Sequence, residues 1–508
     1  MQLVDRADCE AAGFRRPVLR LGAIIALGGL ATAVAVLPAV GNATVCADDF
    51  VWIQIAHQSQ SLLQSLIEAW PKQLFFRPID VAANWLIDPR TLVLSPLIIV
   101  QMMGLAAVSA GVITLIEKCG SHSSGAFIAA LAWLWMHPST QLAVWSAGCS
   151  SQTWCAAAGI WGLCMLIQSP SRPPTAAWKL AALSAFGVVA KELFVGWATS
   201  LAIIAVAIRP DVKATAPRGY AARRRAALVL AIVLPPFLWL AARWLSSSLH
   251  DVTSRDAAGL YAIHGPVTVM RNAAIAGLGL FVQGPVHWAR LLPMPWSAVP
   301  FIAAAISFGL AWLGAQRVRS LAAIPLARHA LAGCIGLGLL TVWPALVIEH
   351  VSELYLFGPN ALVAVLVGLG VEQIARSARG WQKGCMQIGV VVLFGIAAAG
   401  FVSRTLLFFT TWRYARHLRQ ETYRAVAAAG RPENATVLIP SELFAGPMHS
   451  KYCVPPAWAA ALPQAWATMR LGDPSLPAVK FVDGRTPPAE PPGSVIQLEA
   501  DVPPRTIW

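Results

Sequence analysis

Residues 97–116 read LIIVQMMGLAAVSAGVITLI, a run of aliphatic and small side chains without a formal charge. About 20 such residues in a helix cross the roughly 30 Å hydrocarbon layer of a bilayer, so this run predicts a membrane span. Similar runs recur at 226–242, 300–316, 330–348 and 385–403. The chain is 57% hydrophobic and 12% charged, about half the charged fraction of a soluble domain. The sequence therefore predicts a polytopic membrane protein.

The distribution of basic residues predicts the topology. The net charge is +14, and before the C-terminal tail most of the arginines and lysines fall in alternate loops, notably 6–20, 209–225, 317–328 and 376–383. By the positive-inside rule these loops and the N-terminus are cytoplasmic. The basic charge is thus a topology signal first and attraction to anionic lipid second, and it does not indicate nucleic acid as a partner.

We expect an all-α polytopic fold with about 11 membrane-spanning helices, beginning with an uncleaved span at 19–40 and placing the C-terminus outside. The first outward loop, 41–90, is too long for a simple connector, and its mixed apolar and polar runs predict helices lying in the membrane interface. Residues 180–208 are divided by the charged dipeptide Lys191-Glu192. That interruption favours a hairpin of two short helices, with the dipeptide at its outward tip, over a single tilted span.

The sequence changes character near Trp412. We assign 1–411 to the transmembrane domain and 412–508 to a small extracytoplasmic C-terminal appendage. Residues 412–429 predict a basic helix ended by a Gly-Arg-Pro triplet, and 435–439 (ATVLI) predict a strand.

The ionisable residues of the outward loops lie close to the predicted membrane rim, where charge is costly and invites a chemical explanation. They are an acidic pair after the first span, a cation before the second, a Lys-Glu dipeptide and a late Glu/His cluster: Asp48 and Asp49, Arg77, Lys191 and Glu192, and Glu349, His350 and Glu353. A carboxylate can accept the proton of an incoming hydroxyl, and cations can stabilise a phosphate leaving group. Together these residues predict a site for an anionic, membrane-bound substrate.

Each of these residues also has a purely structural interpretation. The acidic pair can cap the helix that begins at Phe50, and Arg77 can be a cation that snorkels to the interface. The Lys-Glu dipeptide can neutralise itself in a turn, and the late Glu/His cluster can be solvated loop residues.

The order and sidedness of several short motifs carry a resemblance to a known superfamily. In chain order they are Asp48-Asp49, Phe76-Arg77-Pro78, His137-Pro138 followed by Ala143–Gly148, Ala190-Lys191-Glu192, and Ser352–Leu356. In this order the chain resembles, over residues 18–405, the GT-C membrane glycosyltransferases, particularly protein O-mannosyltransferase-like and bacterial aminoarabinose-transferase-like enzymes. The chain departs from the pattern at Leu354, where those enzymes have a cation.

The resemblance implies transfer of a sugar from a polyprenyl-phosphate donor to a lipid, glycan or protein acceptor by inverting displacement, on the outer face of a bacterial inner membrane. Asp49, or its neighbour Asp48, would be the general base, and Arg77 and Lys191 would contact the donor phosphate. The residues that would orient the substrate are Glu192, His350 and Glu353. No cofactor or metal ligand is assigned, and participation of a divalent cation is left open.

A transporter or lipid-linked glycan flippase is the leading alternative, and a non-catalytic envelope scaffold is the third. Transporters typically contain inverted repeats and polar groups near the bilayer midplane. The ionisable residues here lie at the predicted rims, and no internal repeat is evident, which favours an enzyme.

Overall fold

The computed structural model of this chain is mostly helical, and its described part begins at Ala43. It describes residues 43–46, 49–72, 76–146, 150–168, 175–207, 220–249, 264–282, 298–319, 336, 338–347, 353–377, 380–445, 455–484 and 495–498. Its helices are α1 (Phe50–Ala56), α2 (Leu62–Lys72), α3 (Pro78–Asn84), α4 (Ser95–Lys118), α5 (Ser124–Met136), α6 (Pro138–Trp145), α7 (Ser150–Gln168), α8 (Thr175–Ala190), α9 (Phe194–Ala207), α10 (Tyr220–Leu249), α11 (Pro266–Gly279), α12 (Val299–Arg319), α13 (Trp343–Leu346), α14 (Phe357–Ser377), α15 (Gly380–Ala428), α16 (Pro456–Ala460) and α17 (Leu462–Gly472). Its strands are β1 (Ala435–Ile439), β2 (Val479–Asp483) and β3 (Val495–Gln497).

Five helices in the described part are long and apolar enough to cross a membrane: α4, α10, α12, α14 and α15. Four more, α5, α7, α8 and α9, are apolar but shorter. The prediction of a helical membrane protein is thus supported, whereas the predicted total of about 11 spans is not confirmed. The predicted span 19–40 lies outside the described residues, and of the predicted span 329–348 only 336 and 338–347 are described.

The spans differ in how much of their surface the protein covers. The apolar window of α14 is 83% buried, whereas that of α10 is 11% buried. Helix α10 instead exposes large apolar side chains such as Phe237 and Trp244. An apolar surface of this size is stable against lipid tails but not in water, so α14 forms the centre of the bundle and α10 its lipid-facing wall.

The closest helix contact joins α12 to α14 through two glycines. A Cβ atom on Gly314 would lie 1.9 Å from the Leu366 carbonyl oxygen, and one on Gly370 would lie 2.1 Å from the Leu310 carbonyl oxygen. Small residues allow helix backbones to approach where apolar burial gives no driving force between helices in lipid. These two glycines therefore set the spacing at the centre of the bundle.

The predicted hairpin at 180–208 is present. Helix α8 ends at Ala190, α9 begins at Phe194, and Lys191 lies in the turn between them. Leu180 of α8 precedes the turn in sequence and Leu201 of α9 follows it, yet both side chains approach Gly162 of α7. Both helices therefore run back along the same neighbour, as a hairpin requires and a single span does not.

The first outward loop folds into three short helices, as its composition predicts. Helices α1, α2 and α3 enclose a small apolar cluster of their own, which includes Ile55, Phe76 and Val81. On its outer side, α2 exposes Leu63 and Ile67, at 69% and 64% of their surface. This amphipathic character is typical of a helix that lies in the membrane interface.

The C-terminal appendage is continuous with the last span. Helix α15 crosses the predicted domain boundary at 411/412 without a break and ends at Ala428, two residues before Gly430, whose φ is +79°. Beyond it Arg431 N–H donates to the Val426 carbonyl oxygen at 3.0 Å, closing the helix as a C-terminal glycine does. Strand β1 follows where it was predicted, but it is the centre of a parallel sheet in the order β2-β1-β3, so the appendage is not purely helical.

The appendage docks on the first outward loop. Gln54 of α1 donates to the Gln464 carbonyl oxygen and to Thr468 Oγ1 of α17, at 3.1 and 3.0 Å. Arg90 Nε donates to the Gly472 carbonyl oxygen at 2.6 Å. The appendage and the first loop are therefore one structural unit above the bundle.

We expect Gly314→Ala to lower the apparent melting temperature of the detergent-solubilised protein. The added methyl group meets a backbone carbonyl of α14 that cannot rotate away, and overpacking of this kind costs about 1–3 kcal/mol. Gly309→Ala on the same helix is the matched control, since a Cβ there meets nothing within 4 Å. Tryptophan fluorescence during thermal unfolding measures both variants, and equal melting temperatures would contradict the close α12–α14 contact.

Candidate functional site

Some predicted site residues lie outside the described part of the chain. Asp48, Glu349 and His350 are among these, and only the backbone of Glu353 is described, at the start of the 3₁₀ turn Glu353–Leu356. The other candidates, Asp49, Arg77, Lys191 and Glu192, are all described. Arg77, Lys191 and Glu192 lie together. Asp49 is linked to them through the connection between α6 and α7, which Asp80 beside Arg77 also binds.

Asp49 does not use its side chain to cap α1. It occupies the N-cap position, but it makes no side-chain cap hydrogen bond. Instead its Oδ1 accepts a hydrogen bond from Ser146 Oγ at 2.9 Å, and only 3% of the residue is exposed. The capping interpretation therefore fails for Asp49, whose carboxylate faces the connection between α6 and α7 and not its own helix.

Asp80 is a second buried carboxylate, which the sequence analysis did not select. Its Oδ1 accepts from Ser151 N–H at 2.7 Å and its Oδ2 accepts from Ser151 Oγ at 2.8 Å. Ser151 is in the first turn of α7, where unpaired amide groups and the helix dipole favour a negative charge. Asp80 therefore caps a helix that is distant in sequence. Ser146 and Ser151 lie at the two ends of the connection between α6 and α7. Asp49 binds one of these serines and Asp80 binds the other, and five residues of chain keep the two serines at most about 18 Å apart.

Arg77 and Glu192 form a buried bidentate ion pair. Arg77 Nε donates to Glu192 Oε2 at 2.9 Å and a terminal nitrogen donates to Oε1. The two side chains are 11% and 22% exposed, and Asp80 Oδ2 lies 3.9 Å from the Arg77 guanidinium. Burial alone would disfavour both charges, but the opposite charge outweighs it, so the pKa of Arg77 is raised and that of Glu192 is lowered. Arg77 is thus no snorkelling cation, and the predicted phosphate ligand is occupied by a carboxylate.

Lys191 is buried beside this pair. It is 1% exposed, and its Nζ lies 5.9 Å from the centroid of the Tyr355 ring. Tyr355 belongs to the 3₁₀ turn before α14. On the other side, the Arg77 guanidinium lies 5.2 Å from the ring centroid of Trp52. Aromatic faces attract cations, more strongly when water is excluded.

We call Arg77, Asp80, Lys191, Glu192 and Tyr355 the rim cluster. Its two cations and two carboxylates balance, so it can be buried as a unit. It joins the first outward loop, the hairpin tip and the turn before α14, which are far apart in sequence. Substitution of one member would leave a buried charge without its partner.

Two buried amide oxygens beside the α6–α7 connection lack a hydrogen-bond partner among the residues described. They belong to Gln101, which is 0% exposed and donates to the Ser146 carbonyl oxygen at 2.7 Å, and to Gln152, which follows Ser151. Most buried polar atoms are hydrogen-bonded, so an orphan acceptor calls for a specific explanation. A hydroxyl-bearing ligand or water beside Asp49 would satisfy both.

Several members of the site escaped the sequence analysis. Asp80 follows Arg77 by three residues in a helix that starts with Pro78, a spacing that puts both side chains on one face. That spacing is a usable signal. The serines and Gln101 give no comparable signal, because their partners are 45 to 97 residues away in the sequence. His137 is the N-cap of α6 and accepts from Ser139 N–H, which is a structural role.

The described residues contain no group of three or more His, Cys, Asp or Glu side chains that could hold a metal ion. No protein-family model, no curated protein and no solved structure matches the chain.

We expect Arg77→Gln and Glu192→Gln each to lower stability, and the double variant to lose less than the sum of the two. Each single change leaves one buried charge unpaired, and contacting charges couple by about 1–3 kcal/mol. The exposed pair Arg424–Glu421 is the control, since such surface pairs couple weakly. Apparent melting temperatures of the four variants in each cycle give the coupling, and additive effects at Arg77 and Glu192 would contradict the buried pair.

The same pair predicts a pH dependence. Because the pKa of Glu192 is lowered in the folded protein, its contribution is complete above the ordinary glutamate pKa of about 4.3. That contribution is lost as the pH falls from there through the lowered pKa. The melting temperature of the wild type should therefore fall more steeply on acidification below about pH 5 than that of Glu192→Gln. Parallel pH profiles for the two proteins would rule out this contribution.

Proposed function

We propose that this protein is an integral-membrane glycosyltransferase that uses a polyprenyl-phosphate sugar on the outer face of the bacterial inner membrane. In this proposal the chain has about 11 spans, a cytoplasmic N-terminus and an extracytoplasmic C-terminus. The observation that carries it is the meeting of three sequence-distant segments in the rim cluster, which binds the α6–α7 connection through Asp80 as the buried carboxylate of Asp49 does. A balanced set of charges at the ends of apolar helices suits a ligand with a charged head and a lipid tail.

In this reaction Asp49 is the general base. The acceptor hydroxyl attacks the anomeric carbon of the donor sugar, a new C–O bond forms, and the bond from that carbon to the phosphate oxygen breaks with its electron pair on the phosphate. The hydroxyl proton moves to the Asp49 carboxylate, which already accepts a hydrogen bond from the Ser146 hydroxyl. The orphan oxygens of Gln101 and Gln152 would receive hydrogen bonds from hydroxyls of the bound sugar.

Lys191 and Arg77 stabilise the departing phosphate in this proposal. Lys191 is a buried ammonium at the hairpin tip, and a desolvated cation stabilises developing negative charge better than one in water. Arg77 holds Glu192 with two hydrogen bonds, and the same planar fork matches a phosphate. Donor binding would exchange the Glu192 carboxylate for a phosphate, leaving Glu192 to orient a sugar hydroxyl. His350 and Glu353 keep their proposed orienting roles on the acceptor side.

We expect the purified protein to release sugar from at least one member of a panel of polyprenyl-phosphate sugars, and Asp49→Asn to abolish that release. The amide removes the proton acceptor but keeps the size and the hydrogen bond from Ser146, so folding should persist. Asp88→Asn is the matched control, because Asp88 is exposed and bonds only within its own turn. Asp48→Asn tests the neighbouring carboxylate in the same assay.

Labelled donor consumption measures the transfer, and monodisperse elution with an unchanged melting temperature shows that the variants fold. A folded protein that binds no donor, and for which Asp49→Asn and Asp88→Asn behave alike, would contradict the enzyme proposal. That result would favour the transporter alternative.

A further inference from the structure

A cavity of about 510 Å³ lies between α15 and the loop that precedes α4, outside the rim cluster. Its lining includes four arginines and the polar side chains beside them: Arg90, Arg416, Arg419, Arg424, Gln420 and Tyr423. None of the described residues that line it is acidic. Four like charges around one cavity repel one another, and a bound anion would relieve that repulsion.

Three of the four arginines come from one face of α15. Residues 416, 419, 420, 423 and 424 follow the spacing of three and four that aligns side chains along one side of an α-helix. The opposite wall is the loop that contains Arg90 and Leu92. Thr44 links the two walls, because its hydroxyl accepts a hydrogen bond from Arg419 of α15 and donates one to the Leu92 carbonyl oxygen of the loop.

Arg419 is the buried member of this set. It is 7% exposed, it donates to Thr44 Oγ1 at 2.9 Å and to the Ala460 carbonyl oxygen at 3.3 Å, and it lies 5.1 Å from the centroid of the Phe50 ring. In the described part of the chain it has no carboxylate partner. A buried charge is normally paired with an opposite charge. The hydroxyl, the carbonyl and the aromatic ring that hold Arg419 in place carry no formal negative charge.

The loop wall is held in a strained conformation. Leu92 has a φ of +55°, a left-handed geometry that is uncommon for a side chain of this kind. Its carbonyl oxygen accepts from Thr44 Oγ1 at 3.0 Å and from Val45 N–H at 3.2 Å. These bonds fix the loop against Thr44 and Val45, and Arg419 also donates to Thr44. Strain of this kind persists where the surrounding structure holds it, and it clusters at binding sites.

The cavity lies beyond the apolar part of α15, a candidate membrane span. Trp381 and Trp412 are about 46 Å apart along this helix at 1.5 Å per residue, which is close to the thickness of a bilayer with its headgroups. Arg416 follows Trp412 by about one helical turn. A helix that crosses the bilayer along this length therefore places the cavity at or just beyond the headgroups.

We propose that this cavity binds a phosphate-bearing anion of the phosphomonoester or diphosphate class. Guanidinium groups bind phosphate oxygens through paired, charge-assisted hydrogen bonds, and the cavity presents several of them to one ligand. Arg424 also pairs with Glu421 at the edge. The phosphate can belong to a lipid headgroup or to a soluble molecule, because both reach this level. The site is independent of the proposed sugar transfer.

The test uses the full-length protein in a zwitterionic detergent and in phosphatidylcholine nanodiscs, at constant ionic strength. Inorganic pyrophosphate probes the soluble source in detergent, and nanodiscs with added phosphatidic acid probe the lipid source. The test variant is Arg416→Gln/Arg424→Gln, which leaves the structural contacts of Arg419 intact. The control is Arg223→Gln/Lys480→Gln, which removes the same formal charge from exposed positions that do not line the cavity.

We expect pyrophosphate, phosphatidic acid or both to raise the melting temperature of the wild type and of the control. The Kd for the active probe should rise at least about tenfold in the test variant, because two charge-assisted hydrogen-bonding groups are lost. Without any probe, the test variant should melt at the wild-type temperature or above it, because repulsion among the arginines is reduced. The probe that acts identifies the source of the phosphate.

Three results would overturn the proposal. The first is the absence of stabilisation by either probe in the wild type. The second is equal stabilisation of the test and control variants, which would reflect general charge screening. The third is a lower melting temperature of the test variant without any probe, which would mean that Arg416 and Arg424 serve the fold and not a ligand.

Discussion

The end of the bundle that carries the rim cluster depends on satisfying the backbone groups of interrupted helices inside an apolar environment. A membrane interior offers no water to an exposed N–H group, so each interruption must find a partner in the protein. At the start of α7 that partner is Asp80, which binds both the backbone and the hydroxyl of Ser151. Its buried charge is in turn acceptable because Arg77 lies 3.9 Å away and is itself held by Glu192. One helix cap thus determines why a cluster of charges is present at all.

At the rim cluster, residues that hold the fold together are also the ones assigned to the proposed chemistry. The interactions of Arg77 and Glu192 tie the first outward loop to the hairpin tip, which is a structural task. A guanidinium held in this way is also preorganised, since its fork is fixed and desolvated before any ligand arrives. The same side chain can therefore stabilise the fold in the absence of substrate and bind phosphate in its presence. Asp49 differs, because its carboxylate accepts from the Ser146 hydroxyl, and the Ser146 carbonyl oxygen accepts from Gln101, whose own amide oxygen is an orphan.

Local signals in the sequence were enough for the helices and the hairpin, but not for their partners. Lys191-Glu192 in an apolar segment marked the turn between α8 and α9, and ATVLI marked β1, because charge placement and residue type act over a few positions. The sequence also grouped Arg77, Lys191 and Glu192, through their shared position at a membrane rim. It missed Asp80 and the parallel strands β2 and β3, because their roles depend on contacts across tens of residues. The number of spans stayed open for a related reason, since several apolar helices are shorter than a bilayer requires.

The unbroken course of α15 gives the protein a mechanical property. At 1.5 Å per residue its 49 residues measure about 73 Å, of which about 30 Å lies in hydrocarbon. The part beyond Trp412 is thus a lever attached rigidly to a span. A change of about 10° in the tilt of that span would move Arg424 by about 3 Å relative to Trp412. Bilayer thickness and the packing of neighbouring helices would then be transmitted, without any hinge, to the width of the arginine-lined cavity.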